Sequence, residues 1–398
     1  MSVNTMTFEQ SATLLTSLVE QATGQRPITP TDESDFVTLA QTTLIRNYDV
    51  MATAISQVLS RTIFSSRPYN AKFRGLQVDS EKFGGHVRKI NYIDLNIEDD
   101  DRYSLEDNRS VDMYNVQKLH AVETNFYGSN THQLHYTVYR DQLDAAFESS
   151  AQFGSFMAGA LQNIANQIEQ INENERRMAL QNLMAGTIDN GTNAIHLLTE
   201  YKNETGNTTI SATNWQSEAE FPYFVKWLYG FLNTTIDLMA ERTALYHQNI
   251  TTYNGVNNVK PIMRHTPRRN MKAYLLNSLM RHIDASVMSS VFHNELLETV
   301  DFEAVNYWQA IGSPASLQIT PVVMQSDGTY ADGNPVSETG VVGVLFDEEA
   351  AGTTIISNWS ATTPFNARGG YWNTFYHWNV RTWNDMTENC IVLLMDEA

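Results

Sequence analysis

A single cysteine, Cys390, occurs among 398 residues, which leaves no disulfide framework and no thiolate zinc cluster. It lies inside the apolar run from Cys390 to Met395 and reads as a buried core thiol in a reducing compartment. Basic residues are scarce as well. Lys and Arg total 26 against 45 Asp and Glu, for a formal net charge of −19. That balance argues against tight sequence-specific nucleic-acid binding, which needs basic stripes to meet phosphates, and it favours solubility at high concentration. No run reaches the roughly eighteen apolar residues of a membrane span. The opening Met1-Ser2-Val3-Asn4-Thr5 lacks the basic and apolar regions of a signal peptide, so a cytosolic setting is expected. Triplets such as Asn207-Thr208-Thr209 and Asn233-Thr234-Thr235 then count only as polar turn composition.

Signatures of catalysis are missing too. The sequence contains no Gly-x-x-x-x-Gly-Lys-Ser/Thr loop, no Gly-x-Ser-x-Gly elbow and no His-Glu-x-x-His helix. His132 and His135 are spaced so that a strand sends them to opposite faces, which counts against a shared metal. The acidic stretch Asp94, Glu98, Asp99, Asp100, Asp101, Glu106 and Asp107 lacks the Gly and closing Glu of a calcium loop and reads as a solvated or Arg-pairing surface. His265-Thr266-Pro267-Arg268-Arg269 reads as a salt-bridged surface loop. Glu348-Glu349 has no nucleophile nearby to serve. No catalytic, cofactor-binding or metal residue is therefore assigned, no cofactor is expected, and the chain is not read as an enzyme.

The length implies two or three lobes with ample apolar surface to bury. Residues 1–66 read as a helical arm with reach: one helix from Phe8 to Ala22, a loop with Pro27 and Pro30, and a second from about Asp35 to Thr62, carrying Leu39, Ile45, Met51, Ile55, Val58 and Leu59. Two β-like runs follow, His86 to Tyr92 and Gln133 to Tyr139. They flank the acidic stretch and suggest an extended hairpin. A helix without proline is expected from about Asp144 to Met184, ended by Gly186. Its stripe is Met157, Leu161, Ile164, Ile168 and Ile171, with Glu173, Glu175, Arg176 and Arg177 as polar cover beyond, and it is expected to pack on a sheet of the same chain.

Beyond it, Asn214 to Glu241 reads as a buried helix from Pro222 on. Tyr274-Leu275-Leu276 reads as a strand, Val287, Met288, Val291, Phe292 and Leu296 as a helix, Val322-Val323-Met324 as a strand, and Ser326 to Ser337 as an exposed turn. The last sixty residues carry the strongest pattern. Val341 to Phe346 is an apolar run, followed by Asp347 to Ala350 and a Ser/Thr/Asn-rich connection. Gly369-Gly370 then opens an aromatic strand on which Tyr376, Trp378 and Val380 share one face.

Three segments and the order of elements resemble the major capsid proteins of tailed bacteriophages, the Hong Kong ninety-seven fold. The segments are Ala54 to Phe64 leading into Arg67-Pro68-Tyr69-Asn70; Tyr274-Leu275-Leu276 with Asp284 to Phe292 and Asn294 to Leu297; and Gly343 to Met395, including Ala367-Arg368. The resemblance implies an α+β fold with an N-terminal arm at 1–66 and an extended β-hairpin loop at 67–142. A peripheral domain with a spine helix would occupy 143–224 and an axial domain 225–340. Residues 341–387 would return to the peripheral domain, and 388–398 would close the axial domain.

The function it implies is self-assembly into hexamers and pentamers of an icosahedral or prolate head shell around double-stranded DNA, in a virion assembled in a bacterial cytoplasm. The arm would clamp one neighbour and the loop would lie over another. A separate scaffolding protein, a portal protein at one vertex and a possible decoration protein are the implied partners, with no membrane. The length and arm resemble small podoviruses of the phi-twenty-nine type, without an immunoglobulin-like domain. Some relatives cross-link a loop lysine to an asparagine; Lys82 and Lys89, with Asn366, Asn373 and Asn379, are the residues in the matching regions, and no motif pairs them. An encapsulin-like or minor capsid shell, and then an unrecognised cytosolic enzyme, are the alternatives.

Overall fold

The computed structural model describes residues 7–46, 71–78, 87–93, 120–126, 128–253, 256–257, 260–285 and 301–397, with single positions between 95 and 118. Helices α1 (Phe8–Thr23) and α2 (Glu33–Arg46) come first, then strands β1 (Val87–Ile93), β2 (His120–Phe126) and β3 (Asn130–Tyr139). A short α3 (Arg140–Ala146) and a long α4 (Ser150–Asn190) follow, then β4 (Ala194–His196), α5 (Leu197–Thr205) and α6 (Phe221–Ala240). A small ladder of β5 (Thr252–Tyr253) and β6 (Val256–Asn257) precedes β7 (Met271–Leu276), α7 (Asn277–Ala285) and β8 (Asp301–Val305). The rest is strand: β9 (Leu317–Ile319), β10 (Val322–Met324), β11 (Tyr330–Asp332), β12 (Val336–Glu338), β13 (Val341–Asp347), β14 (Ala351–Thr362), β15 (Tyr371–Asn384) and β16 (Cys390–Leu394).

Two sheets organise the chain. The larger has the order β4-β16-β13-β7-β8. Its central β13 and β16 are buried at every position, because both faces are covered, and that is why they read as unbroken apolar runs. Tyr274, Leu276, Val344, Phe346, Val392 and Leu394 face a core shared with Leu180, Leu183 and Met184 of α4. Their alternates Ala273, Leu275, Leu345, Ile391 and Leu393 face α5 and α6 through Leu198, Phe224, Leu228 and Leu232. This one sheet draws strands from all four of the segments 143–224, 225–340, 341–387 and 388–398.

The smaller sheet has the order β14-β15-β3. Tyr376, Trp378 and Val380 alternate into it and meet Ile164 and Ile168 of α4, with Ile171 beside them, so the expected helix-on-sheet packing is present. The helix itself is displaced from its expected limits. Arg140–Ala146 is a separate turn of helix, Ser149 caps α4 by accepting from Gln152 N at 3.2 Å, and α4 runs 41 residues, about 60 Å, to Asn190. Gly186 lies within it and does not end it: a Cβ there would come within 2.1 Å of the end of the Met386 side chain, which would have to shift to make room. The stop is Gly191, at φ 76 in the left-handed region.

Other expectations are corrected. The run 133–139 belongs to β3 and pairs with β15, while β1 pairs with β2, a run the sequence left unmarked. The Ser/Thr/Asn-rich stretch after Ala350 is β14, a 12-residue edge strand of the small sheet. The segment 326–337 holds β11 and the start of β12, which pair with β10 and β9. In the arm, α1 and α2 lie on α4 of their own chain. Leu15, Leu18, Phe36 and Ala40 join Phe147, Phe153 and Trp372 in one cluster, and Glu33 accepts from Ser150 N and Oγ at 2.6 Å each. The second helix is expected to run on to Thr62; its part beyond Arg46, the segments 54–64, 67–70 and 286–300, Lys82, Asp94, Glu98, Asp99 and Asp101 lie outside the described residues.

Candidate functional site: the root of the hairpin

The β1–β2 hairpin stands outside both sheets. Alternation gives it two faces: Asn91 and Ile93 of β1 and Thr124 of β2 are buried, while Ile90 and Tyr92 point outward. Past its end, Ile97, Met113, Tyr114 and Val116 are exposed. Its root is set in a polar cluster built by β1, the segment around Arg264 and the turn between β15 and β16. Lys89 Nζ lies 2.9 Å from Asp385 Oδ2 and 3.1 Å from Glu349 Oε2, and it also donates to Glu388. Arg264 donates from Nη2 to Asn91 Oδ1 at 2.7 Å and from Nε to Thr387 O at 2.9 Å, and lies 3.2 Å from Glu388 Oε1. Asp385 Oδ1 accepts from Thr387 N and Oγ1, at 2.9 and 2.7 Å.

Asp385 and Glu388 are almost wholly shielded, so these charges persist only because they are paired and hydrogen-bonded. Burial penalises the Lys89 ammonium, yet Asp385 and Glu388 outweigh it and hold its pKa above the ordinary lysine value. Burial lifts the Glu388 carboxyl above the usual carboxylate range, against the opposing pull of Lys89 and Arg264. Burial, then the Asp385 charge, pushes the Tyr330 phenol up. Clefts of about 580 and 490 Å³ flank the root, and Phe126 and Trp383 line both.

A second latch holds the chain that leads into the hairpin. Phe73, fully buried at φ 60, donates its N–H to Glu303 at 3.0 Å, and Lys72 N donates to Glu173 at 3.2 Å. Arg177 bonds Glu173 at 2.6 Å, donates to Tyr307 O, and lies over the rings of Phe73 and Tyr307 at 4.9 and 4.0 Å. Arg176 donates to Gln77 at 2.6 Å. Glu175 accepts from Asn130 at 2.7 Å and bonds His132 at 2.9 Å.

Glu173, Glu175, Arg176 and Arg177 are thus buried contacts and not the polar cover expected of them. Their partners come from up to 131 residues away, so local spacing could not name them. One signal was present: Glu175 stands four residues after Ile171, in the register of the apolar stripe.

The remaining candidates disperse. His132 lies against Trp378 and His135 against Phe375, on opposite faces of β3. Thr266 is buried on Asp347 at 2.7 Å and Arg268 pairs with Asp237 at 3.0 Å. Glu348 takes Asn270, and Glu349 takes Lys89. Asn373 accepts from Thr137, Asn379 donates to Ser357, and Asn366 closes the turn before Gly370, so Lys89 meets none of the three. Cys390 is buried beside Thr187 Oγ1 at 3.4 Å, and burial pushes its thiol up to about 12. Among the described residues no group of three or more His, Cys, Asp or Glu is arranged to hold a metal, and no described helix is long and apolar enough to cross a membrane.

The site is a fastening: two ionic clusters fix where the hairpin leaves the body, and the described apolar residues past its strands, Ile97, Met113, Tyr114 and Val116, are exposed. Comparison with known proteins gives that arrangement a setting. A family model described as Phi29-like phage major capsid protein matches residues 15–394. No curated protein matches the chain. Among solved structures, the capsid of Staphylococcus phage Andhra aligns with a TM-score of 0.51 at 11% identity, covering 82% of this chain and 84% of that one. A chain in the structure of head fiber and inner core protein gp22 of native bacteriophage P68 aligns with a TM-score of 0.46 at 9% identity, covering 82% and 85%. The α+β fold therefore resembles the folds of tailed-phage capsids.

Proposed function

Because the chain belongs to the Phi29-like phage major capsid protein family, we propose that it is the repeating subunit of a phage head, assembling as hexamers and pentamers into a shell around double-stranded DNA. The observation that carries this reading is the hairpin. Its two strands pair only with each other among the described residues, and its end exposes Ile97, Met113, Tyr114 and Val116, three of them more than three-quarters exposed. A monomer that fastens such an element with buried ion pairs, and leaves its apolar end in water, is built for a surface supplied by another copy.

On this reading residues 67–142 form the extended loop, although β3 pairs with the small sheet. Helix α4 is the spine of a peripheral domain that includes the small sheet, and the large sheet with α5, α6 and α7 is the axial domain. Residues 1–66 are the N-terminal arm, of which 8–46 rest on their own subunit. A separate scaffolding protein, a portal at one vertex, packaged DNA held without sequence preference and a possible decoration protein are its proposed partners. The podovirus affinity of the phi-twenty-nine type belongs to the same proposal. The net charge of −19 suits a lining on which condensed DNA slides without tight binding.

Electron microscopy and sedimentation of the full chain, expressed with and without its neighbouring genes, test the proposal. Uniform closed shells with those genes, and rings or aberrant tubes without them, are expected. A monodisperse monomer under every condition would overturn it, and shells that enclose a protein cargo and no DNA would move it to an encapsulin-like compartment.

A further inference from the structure

Helices α5 and α6 leave a groove of about 500 Å³ on the face of the large sheet. Trp227, Phe231 and Leu238 line it, with Glu200 and Glu204 on one rim and Lys226 on the other. At its centre is Gly230, halfway along α6. Glycine is among the poorest residues for a helix interior, so one is expected there only where something must come close. Within this chain nothing does: a Cβ at Gly230 would meet no atom within 4 Å. Thr234, one turn on, is exposed as well, so two small residues in line leave room for a second helix to approach α6 closely. In Gly186, by contrast, the missing side chain is explained by Met386 and Val323 of the same chain.

The sheet order indicates what comes close. Helix α5 follows β4, at one edge of the sheet, and α7 packs on β7 and β8, at the other. The exposed side of α7 carries Arg281, which has no ion pair among the described residues, and the groove's Glu200 has none either. A groove with glutamates on one rim at one edge, and on a helix at the other edge an arginine that has no ion pair among the described residues, are complementary between copies, and a contact of this kind repeats head to tail until it closes a ring. We infer that the α5–α6 groove of each subunit receives the α7 edge of the next copy around a capsomer, with Gly230 as the point of closest approach and Glu200 facing Arg281. The inference rests on the capsid reading and adds to it the surfaces that meet.

Four variants of the full chain, expressed with its neighbouring genes, test it: Gly230→Leu, Glu200→Arg, Arg281→Glu and the double variant Glu200→Arg with Arg281→Glu. The measurements are the fraction of chain sedimenting as rings or shells and the melting temperature of the unassembled chain. Gly230→Leu fills the groove with a better helix former, so assembly is expected to fall by about tenfold or more while the melting temperature holds or rises. Each charge reversal is expected to reduce assembly, and the double variant to recover it, because every copy offers both surfaces. Normal assembly of Gly230→Leu would overturn the groove as an interface and leave the capsid reading standing. Loss with Gly230→Leu, but no recovery in the double variant, would overturn α7 as the occupant. Failure of the unmodified chain to form rings or shells would remove the capsid reading and this inference together.

Discussion

Lys89 is the residue on which the hairpin's root depends. It faces three carboxylates, and Asp385 beside it is 1% exposed. Lys89→Met leaves buried acids without their cation and is expected to cost about 3–5 kcal/mol, read as a lower midpoint in chemical denaturation. Arg102→Met is the control: Arg102 and Asp100 pair in solvent, and stability should not change. Glu388 supplies a pH signature. Its folded pKa is raised, so the folded state binds the proton more tightly than the unfolded chain. Its contribution is fully present below the usual carboxylate range and is lost as pH rises through the raised value. Relative to Glu388→Gln, the unmodified chain should therefore lose stability as pH climbs from the ordinary glutamate range toward neutrality. Denaturation midpoints of both chains across that window measure the difference, and parallel curves would contradict the raised pKa.

Among the elements, β14 shows where packing overrides composition. Its Ser, Thr and Asn residues gave no alternation to read, and its strand character comes from the ladder it forms with β15. Gly352 within it lies against Trp383, whose indole atoms would be 2.2 to 2.8 Å from an added Cβ. A rigid ring cannot yield as a methionine end can, so Gly352→Ala is expected to cost about 1–3 kcal/mol, measured as a lower melting temperature. Elements with their own periodicity were legible in the sequence: β15 through Tyr376, Trp378 and Val380, α6 through its spacing from Pro222, and β13 and β16 through their apolar runs. What stayed hidden was long-range. The partner of β3, the two strands in 326–337 and the burial of Glu173, Glu175, Arg176 and Arg177 are all decided by residues far along the chain, which no local window contains.

For the whole molecule, the exposed end of the hairpin separates folding from assembly. Ile97, Met113 and Val116 are 99%, 80% and 74% exposed, so replacing all three with Ser should change the stability of the isolated chain little, within about 0.5 kcal/mol per site. The same triple variant should lose shells in the sedimentation profile; shells formed at the normal level would mean that this end meets no neighbour. The root and the end of the hairpin thus answer to different measurements.

The way the hairpin is joined to the body also fixes how a subunit carries load. Its second leg, β2, ends at Phe126, and β3 begins at Asn130 and lies along β15 from Tyr139↔Tyr371 to Asn130↔Val380. A pull drawn along β3 strains that whole ladder in shear, all bonds together, where a pull across it would peel them one at a time. The first leg is tied through Phe73 and Lys72 to Glu303 and Glu173. If the chain works as the proposed shell subunit, tension on the hairpin would pass into β15 and α4, the longest strand and helix among the described residues, and the force that frees the hairpin would be the force that shears β3 from β15.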